Sequence, residues 1–375
     1  MSRFIQLHLL TSYPASNLNR DDLGRPKTVI MGNVQRLRVS SQGLKRCWRT
    51  SEVFQKALAG RIGIRTKEMG KYVYSALISE KSLSAVITPP DLSAIAGITP
   101  EQVNKKAHAI SQAVAGVFGQ VKALPKKEAD IAKDPLIDLE IAQLAHLSPA
   151  EISAINALTE KCRPGLSMPN AADLNLLRKE NQAADIAMFG RMLAASKEFN
   201  VDAAVQVSHA MTVHKVLVED DFFTAVDDLN VDDSGAGHMG VAEFGAGLFY
   251  LYVCIDREIL RENLGGDLTL TAKALGALCE AACTVSPTGK QNSYASRAHA
   301  SYCLAEKGDE QPRQLSVAFL DPVNTSVNML QKAIERLEDM KKNMDAVYGS
   351  TVEQTSFNTM TGKGSLEDVR SFITR

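Results

Sequence analysis

Between residues 20 and 49 the chain carries eight basic side chains, Arg20, Arg25, Lys27, Arg36, Arg38, Lys45, Arg46 and Arg49, against only Asp21 and Asp22. The formal net charge of the whole chain is -1, so this excess is concentrated rather than general. Clustered cations on one surface neutralise successive phosphates of a nucleic acid, largely without regard to sequence. Ser40, Ser41, Gln42 and the open N–H groups of a helix start add hydrogen-bond donors there. With about four phosphates of a single strand neutralised, affinity should fall roughly fifty-fold between about 50 and 200 mM salt. The competing reading is a solvated basic face on an ordinary amphipathic helix.

A second group is Phe222-Phe223-Thr224-Ala225-Val226-Asp227-Asp228. Its two aromatics sit among seven acids, Glu219, Asp220, Asp221, Asp227, Asp228, Asp232 and Asp233. Such aromatics either return to the core or form a wedge for a nucleic-acid base, each stacked base contributing about 1–3 kcal/mol. The acids repel phosphate, so any contact from here is apolar and directed at bases. The same acids can in principle hold Mg²⁺ for phosphodiester cleavage. That defines the alternative function, a metal-dependent ribonuclease using the acidic cluster or His209, against the simpler reading of a solvated acidic loop. His209 and His214 fall on opposite faces of a strand and make no ligand pair. The glycines of 235–240 lack the lysine and the strand-to-helix setting of a phosphate loop. Of the six cysteines only Cys279 and Cys283 are close, at i, i+4, with no matching second half for a metal site. No catalytic residue, metal or cofactor is expected.

The elements that position these residues follow from periodicity. The 375 residues, 45% of them hydrophobic, suffice for a substantial core. The apolar run from Phe244 to Ile255 is too short to span a bilayer, and the N-terminus lacks a signal-peptide pattern, so a cytoplasmic chain without a membrane partner is expected. Ile5, Leu7 and Leu9 alternate with Gln6 and His8, predicting a strand with one face buried. Residues 35–40 alternate again, with Arg36, Arg38 and Ser40 on one face. A helix capped by Ser40 or Ser41 follows, with Leu44, Cys47, Trp48, Phe54 and Leu58 as its apolar stripe and Lys45, Arg49 and Lys56, with Arg46 beside them, on another face. Residues 66–198 predict helices punctuated by prolines. Strands are predicted over 204–215, with Val205, Val207, His209, Met211 and Val213 on one face, and over 247–255, joined by an extended hairpin. A helix over 270–284, a polar loop over 289–294, a strand through Leu315, Val317 and Phe319, a helix over 326–347 and a capped helix from Ser365 complete the chain. Without insertions the order is strand, helix, strand, strand, helix, strand. This is an α+β, ferredoxin-like arrangement, the class that includes RNA-recognition domains.

Six stretches keep their order over about the first 300 residues: Leu18-Asn19-Arg20-Asp21-Asp22, Arg38-Val39-Ser40-Ser41-Gln42 with Leu44-Lys45-Arg46, Phe189-Gly190-Arg191-Met192, Val207-Ser208-His209-Ala210, 223–229, and Gly289-Lys290-Gln291. Together they resemble the CasC-type backbone subunit of the type I-E CRISPR Cascade surveillance complex. The resemblance implies a hand-shaped, non-catalytic protein: a modified RNA-recognition palm over 1–60 and 201–325, helical fingers over 61–200, a thumb hairpin over 216–243, and C-terminal helices over 326–375. Copies polymerise head to tail along guide RNA (crRNA), and each thumb kinks the guide and displaces a base, leaving segments for pairing with target DNA. Other Cascade subunits are implied partners. On this reading Arg20, Lys27, Ser40, Gln42, Lys45, Arg46 and Arg49 contact the guide backbone, Met192 sits at the kink, and Phe222, Phe223, Thr224, Val226 and Met239 form the thumb wedge. Phe222 stands where one member of the family has a tryptophan, and the hairpin is slightly longer than in that member; both departures keep the wedge apolar.

The acids of the hairpin suit docking on basic residues of the next copy. Neutralising Asp227, Asp228, Asp232 and Asp233 together is therefore expected to weaken assembly on guide RNA at low salt. Unchanged assembly in a sedimentation experiment removes this role.

Overall fold

The computed structural model describes residues 2–179, 183–226, 236–324 and 327–375. They form two compact units. The first comprises Met1–Leu58, Val205–Glu258 and Leu268–Arg375, and the second Ala59–Ala204 and Ile259–Asp267. The strands in chain order are β1 (Phe4–Ser16), β2 (Thr28–Met31), β3 (Val34–Val39), β4 (Ile64–Thr66), β5 (Ala145–Leu147), β6 (Val205–Val207), β7 (Ala210–Thr212), β8 (Glu219–Val226), β9 (Ala236–Asp256), β10 (Tyr302–Gly308) and β11 (Glu353–Asn358). All but β4 and β5 join one sheet in the first unit, ordered β11-β10-β1-β9-β7-β3-β2, with β6 and β8 also pairing with β9. The chain is thus mixed α and β around an antiparallel sheet.

β1 lies inside the sheet, between β10 and β9, and both of its faces are buried. Ile5, Leu7 and Leu9 register with Ile255, Val253 and Leu251 of β9 and with Lys307, Ala305 and Cys303 of β10. This face meets the helices Leu268–Thr284 and Leu366–Thr374. The Cys303 thiol hydrogen-bonds Cys283, and the Lys307 ammonium lies 4.4 Å above the Phe372 ring.

The other face departs from the expected half-solvated strand. Gln6 and His8 do alternate away from Ile5 and Leu7, yet both are buried. The helix Met329–Tyr348 and residues 315–323 cover them, packing Ile334, Leu337, Leu315 and Phe319 against Leu10, Tyr250, Tyr252 and Leu304. A polar side chain is tolerated in such a place only when its hydrogen bonds are made. His8 and Glu306 meet at 3.0 Å, the Tyr250 hydroxyl is 2.9 Å from the other ring nitrogen, and the Tyr252 hydroxyl donates to Gln6. Arg313 spans both Glu306 oxygens and reaches Asp345. Burial pushes the Glu306 carboxyl up, but the bonds from His8 and Arg313 outweigh it and hold the group at about 2. Burial pushes the His8 pKa down, so the ring stays neutral.

Four other expectations need correction. The helix after Ser40 is two helices, α1 (Ser41–Arg49) and α2 (Glu52–Ala57). The Ser51 hydroxyl donates to the Trp48 carbonyl and accepts from Phe54 N–H, ending one helix and capping the next. Lys56 therefore leaves the basic face of α1 and pairs with Glu52 instead. The strand over 204–215 breaks at Ser208 and His209 into β6 and β7, so its five alternating residues do not share one face. Residues 316–319 form a short 3₁₀ turn, and the strand pairing with β1 is β10. β11 pairs with β10, in a region read only as helices.

In the second unit, the helices Met69–Ile78, Lys105–Phe118 and Pro149–Cys162 supply much of a continuous core, with Val73, Ile110, Val114 and Ile155 fully buried. The β4 and β5 pair joins this otherwise helical unit. Among the described residues no helix is long and apolar enough to cross a membrane.

Arg313→Ala leaves Glu306 charged and under-bonded, which is expected to cost about 3 kcal/mol and to lower the thermal midpoint by about 6–12 °C. Acid acts in the same direction. Glu306 has a folded pKa below its ordinary 4.5, so its stabilisation is complete above that value and is lost as pH falls toward about 2. His8 is held below 6.5, so protons bind the unfolded chain first as pH drops through that value. Thermal unfolding followed from pH 7 downward should show a falling midpoint; a flat profile contradicts this account.

Candidate nucleic-acid interface

The candidate surface begins at α1. Ser40 caps it, its Oγ accepting from Gly43 N–H, while its own N–H donates to Asn19 Oδ1 at 2.9 Å. The first turn of α1 contains no acid, so the positive end of the helix is not neutralised by its own residues. Asn19 also accepts Lys27 N–H through its carbonyl, and Lys27 in turn accepts Arg38 N–H. These bonds draw the loop over 17–27, the end of β3 and the start of α1 into one surface. Arg20, Gln42 and Arg46 are exposed on it, and Lys27, Lys45 and Arg49 are half-buried. Burial pushes the Lys45 pKa down from its ordinary value. Ser40 itself is buried, and its cap bond uses an oxygen lone pair, so the hydroxyl hydrogen remains for another acceptor.

Not every cation of the segment belongs to this surface. Arg36, expected to share an exposed face with Arg38 and Ser40, is 0% exposed. Its guanidinium donates to the carbonyls of Thr212 and Phe319 at 2.9 and 2.7 Å, and more weakly to those of Met31 and Leu320. It joins the turn over 31–34 to β7 and to residues 319–320. Arg25 pairs with Glu243 of β9 at 3.0 Å. Arg38 donates to the Thr28 carbonyl and lies 3.1 Å from Nδ1 of His209. The His209 pKa is lowered by burial and by the charges of Arg38 and Lys27, which makes the ring a neutral acceptor at neutral pH. In the sequence His209 is a candidate only for metal or acid–base work. Its place beside two cations was hidden by its distance in sequence from them.

β8 and the first half of β9 pair antiparallel, and the pairing sorts the expected wedge into two sides. Phe222 faces Val241, and Thr224 faces Met239; with Val226 these share one side. Phe222 is 64% exposed, and Val226, Met239 and Val241 are similarly open. Phe223 lies on the reverse, 43% exposed, against Gly240. A Cβ on Gly240 would lie 2.5 Å from the Phe223 ring, so the glycine is what lets the ring lie flat there. Glu219, Asp220 and Asp221 are exposed at the near end of β8. Asp227, Asp228, Asp232, Asp233 and Gly235 lie outside the described residues. The base of this ribbon is joined to the basic loop: Asn17 Nδ2 donates to the carbonyls of Gly24 and Glu243, and Arg25 holds the Glu243 carboxylate.

Met192 belongs to the second unit, where it is 75% exposed. The residue before it explains its presentation. Arg191 is buried, ion-paired with the equally buried Glu151 and bonded to the carbonyls of Phe199 and Arg178. Backbone bonds between Arg191 and Val201 close the loop that displays Met192.

A family model described as CT1975-like protein matches residues 5–372. No curated protein matches the chain. Among solved structures, a chain of a "CRISPR RNA-guided surveillance complex, pre-nicking" is similar, with a TM-score of 0.78 and 27% identity over 98% of this chain and 95% of that one. A chain of a "CRISPR RNA-guided surveillance complex" shares the fold, with a TM-score of 0.60 and 23% identity over 99% of this chain and 98% of that one.

The two kinds of arginine should separate by experiment. Arg36→Ala strands several buried carbonyls and is expected to destabilise the protein by at least ~2 kcal/mol. Arg46→Ala should leave stability within about 0.5 kcal/mol. Chemical denaturation of both variants tests this, and equal stability would contradict the structural role of Arg36.

Proposed function

Starting from a chain that belongs to the CT1975-like family of Cas proteins, we propose that it is a non-catalytic, guide-RNA-binding backbone subunit of a type I-E CRISPR surveillance complex. The observation that carries the reading is the linkage at Glu243. One residue of β9 joins a loop of backbone-seeking cations to a ribbon whose exposed side is apolar. In this reading the sheet is a ferredoxin-like palm, whose four core strands are β10, β1, β9 and the interrupted strand made of β6 and β7, both of which pair with β9. The helical second unit is the fingers, and the β8 and β9 ribbon is the thumb.

Arg20, Lys27, Gln42, Lys45, Arg46 and Arg49, with the Ser40 hydroxyl, hold phosphates of a single strand. Base-specific pairing from the protein is not needed, so any guide sequence is accepted. The Phe222, Thr224, Val226 and Met239 side of the ribbon turns one base out of the stack, with Phe223 bracing the ribbon from behind and Met192 at the kink. Copies bind head to tail, so modest grips multiply along one guide and leave regular segments for pairing with target DNA. Other subunits of the complex complete the assembly.

Footprinting of RNA bound to the assembled protein is the decisive test. Regularly spaced reactive bases are expected, and uniform protection would overturn the thumb mechanism. Lys45→Ala with Arg49→Ala should weaken binding to all RNA sequences alike and reduce the log–log salt slope by roughly 1.4, about 0.7 per contact. RNA incubated with the protein and Mg²⁺ should remain intact; cleavage that mutation of the Asp220 region abolishes would favour a ribonuclease.

A further inference from the structure

β6 and β7 run along β9 as one interrupted strand, and the interruption re-aims a single side chain. Val207 pairs with Val253, and Ser208 is still held to Tyr252, donating its N–H to that residue's carbonyl and accepting Tyr252 N–H on its hydroxyl. Met211 pairs with Tyr250. His209 and Ala210 therefore lie opposite the one residue left, Leu251, which makes a β-bulge. On the other side of β7, Val39 pairs with Ala210, so His209 comes level with Ser40, where α1 begins. Its ring meets Arg38, with Nδ1 3.1 Å from the guanidinium.

That bond fixes the ring. A guanidinium can only donate, so Nδ1 is the acceptor and the proton of the neutral imidazole sits on Nε2. Arg38 is fixed in turn, its Nε donating to the Thr28 carbonyl. Lys27 lies across from it, one step beyond the pair of Thr28 with Leu37, and accepts Arg38 N–H on its own carbonyl. Like charges directly opposite one another on neighbouring strands are destabilising. Both charges also act on His209. Among the described residues no carboxylate pairs with Arg38 or Lys27 to offset this. A guanidinium, an ammonium and an exposed imidazole N–H are thus gathered at an electrostatic cost, which is the complement of an acceptor-only anion. The same surface continues to Ser40 and α1, so that anion is a phosphate of the strand held there.

We propose that Arg38, Lys27 and His209 form a phosphate-binding site for single-stranded RNA, in which His209 both orients the Arg38 guanidinium and donates from Nε2. This rests on the RNA-binding reading above and adds Arg38 and His209 to its contacts. Full-length protein, a single-stranded oligouridylate short enough for one copy and a salt titration at neutral pH test it. Arg38→Gln keeps hydrogen-bonding groups and loses the charge. It should bind about 3- to 10-fold more weakly at low salt, with a log–log slope smaller by about 0.7, while the thermal midpoint holds or rises as the repulsion from Lys27 is relieved. His209→Asn keeps an acceptor where Nδ1 stands and removes the Nε2 donor. It should weaken binding about 2- to 10-fold with the parental slope, because a neutral ring releases no counterion. Parental affinity in either variant, or a loss of affinity accompanied by a fall in the thermal midpoint, overturns the inference. Parental affinity for the short RNA together with lost assembly on long RNA also overturns it, and assigns these groups to carboxylates of a neighbouring copy. Lys45→Ala with Arg49→Ala, measured alongside, distinguishes the failures. If that variant weakens binding and Arg38→Gln does not, only this site is excluded; if neither does, the RNA-binding reading fails and this inference with it.

Discussion

Burial of both faces of β1 is the constraint on which the first unit depends. One face meets two helices, and the other is closed by the helix Met329–Tyr348. A sheet covered on both sides has no broad surface left for a ligand. Functional groups are pushed to the places where backbone leaves the sheet: the loop over 17–27, the start of α1, and the ribbon that continues β9 beyond its pairing with β1. A single-stranded RNA domain with an open sheet reads bases on that sheet. Here the polar residues that alternate onto the covered face, Gln6, His8 and Glu306, are consumed by an internal hydrogen-bond network.

The same constraint explains how charge is divided. Arg36 and Arg38 are two residues apart on one strand, and their fates differ because their surroundings differ. Arg36 reaches the carbonyls of residues that close the covered face, whereas Arg38 reaches the edge beside His209 and Lys27. Arg25 is held by Glu243, so it fixes the ribbon base. What remains is a smaller set of cations whose geometry is set by two asparagines, Asn17 and Asn19. Neither asparagine contributes charge, and both determine where charge is displayed.

Local patterns were legible where local physics decides them. The Ser40 cap, the basic turns of α1 and the capped final helix all follow from short-range rules of capping and charge placement. The strand called at 315–319 and the single long helix after Ser40 fail for one reason. An apolar alternation or stripe is equally satisfied by other backbones, and the choice was made by distant partners, β1 pairing with β10 and the Ser51 hydroxyl competing for the helix ladder.

The sequence by itself determined that cations cluster in one stretch, that aromatics and acids adjoin in another, and that strands and helices alternate in an α+β order. Composition and periodicity are properties of neighbours along the chain, so they survive without coordinates. Only the tertiary structure decided which arginine is buried, that His209 joins Lys27 and Arg38, and that Glu243 links the basic loop to the ribbon. Those outcomes depend on pairings between segments some 170 to 280 residues apart, whose hydrogen bonds and desolvation no local pattern encodes.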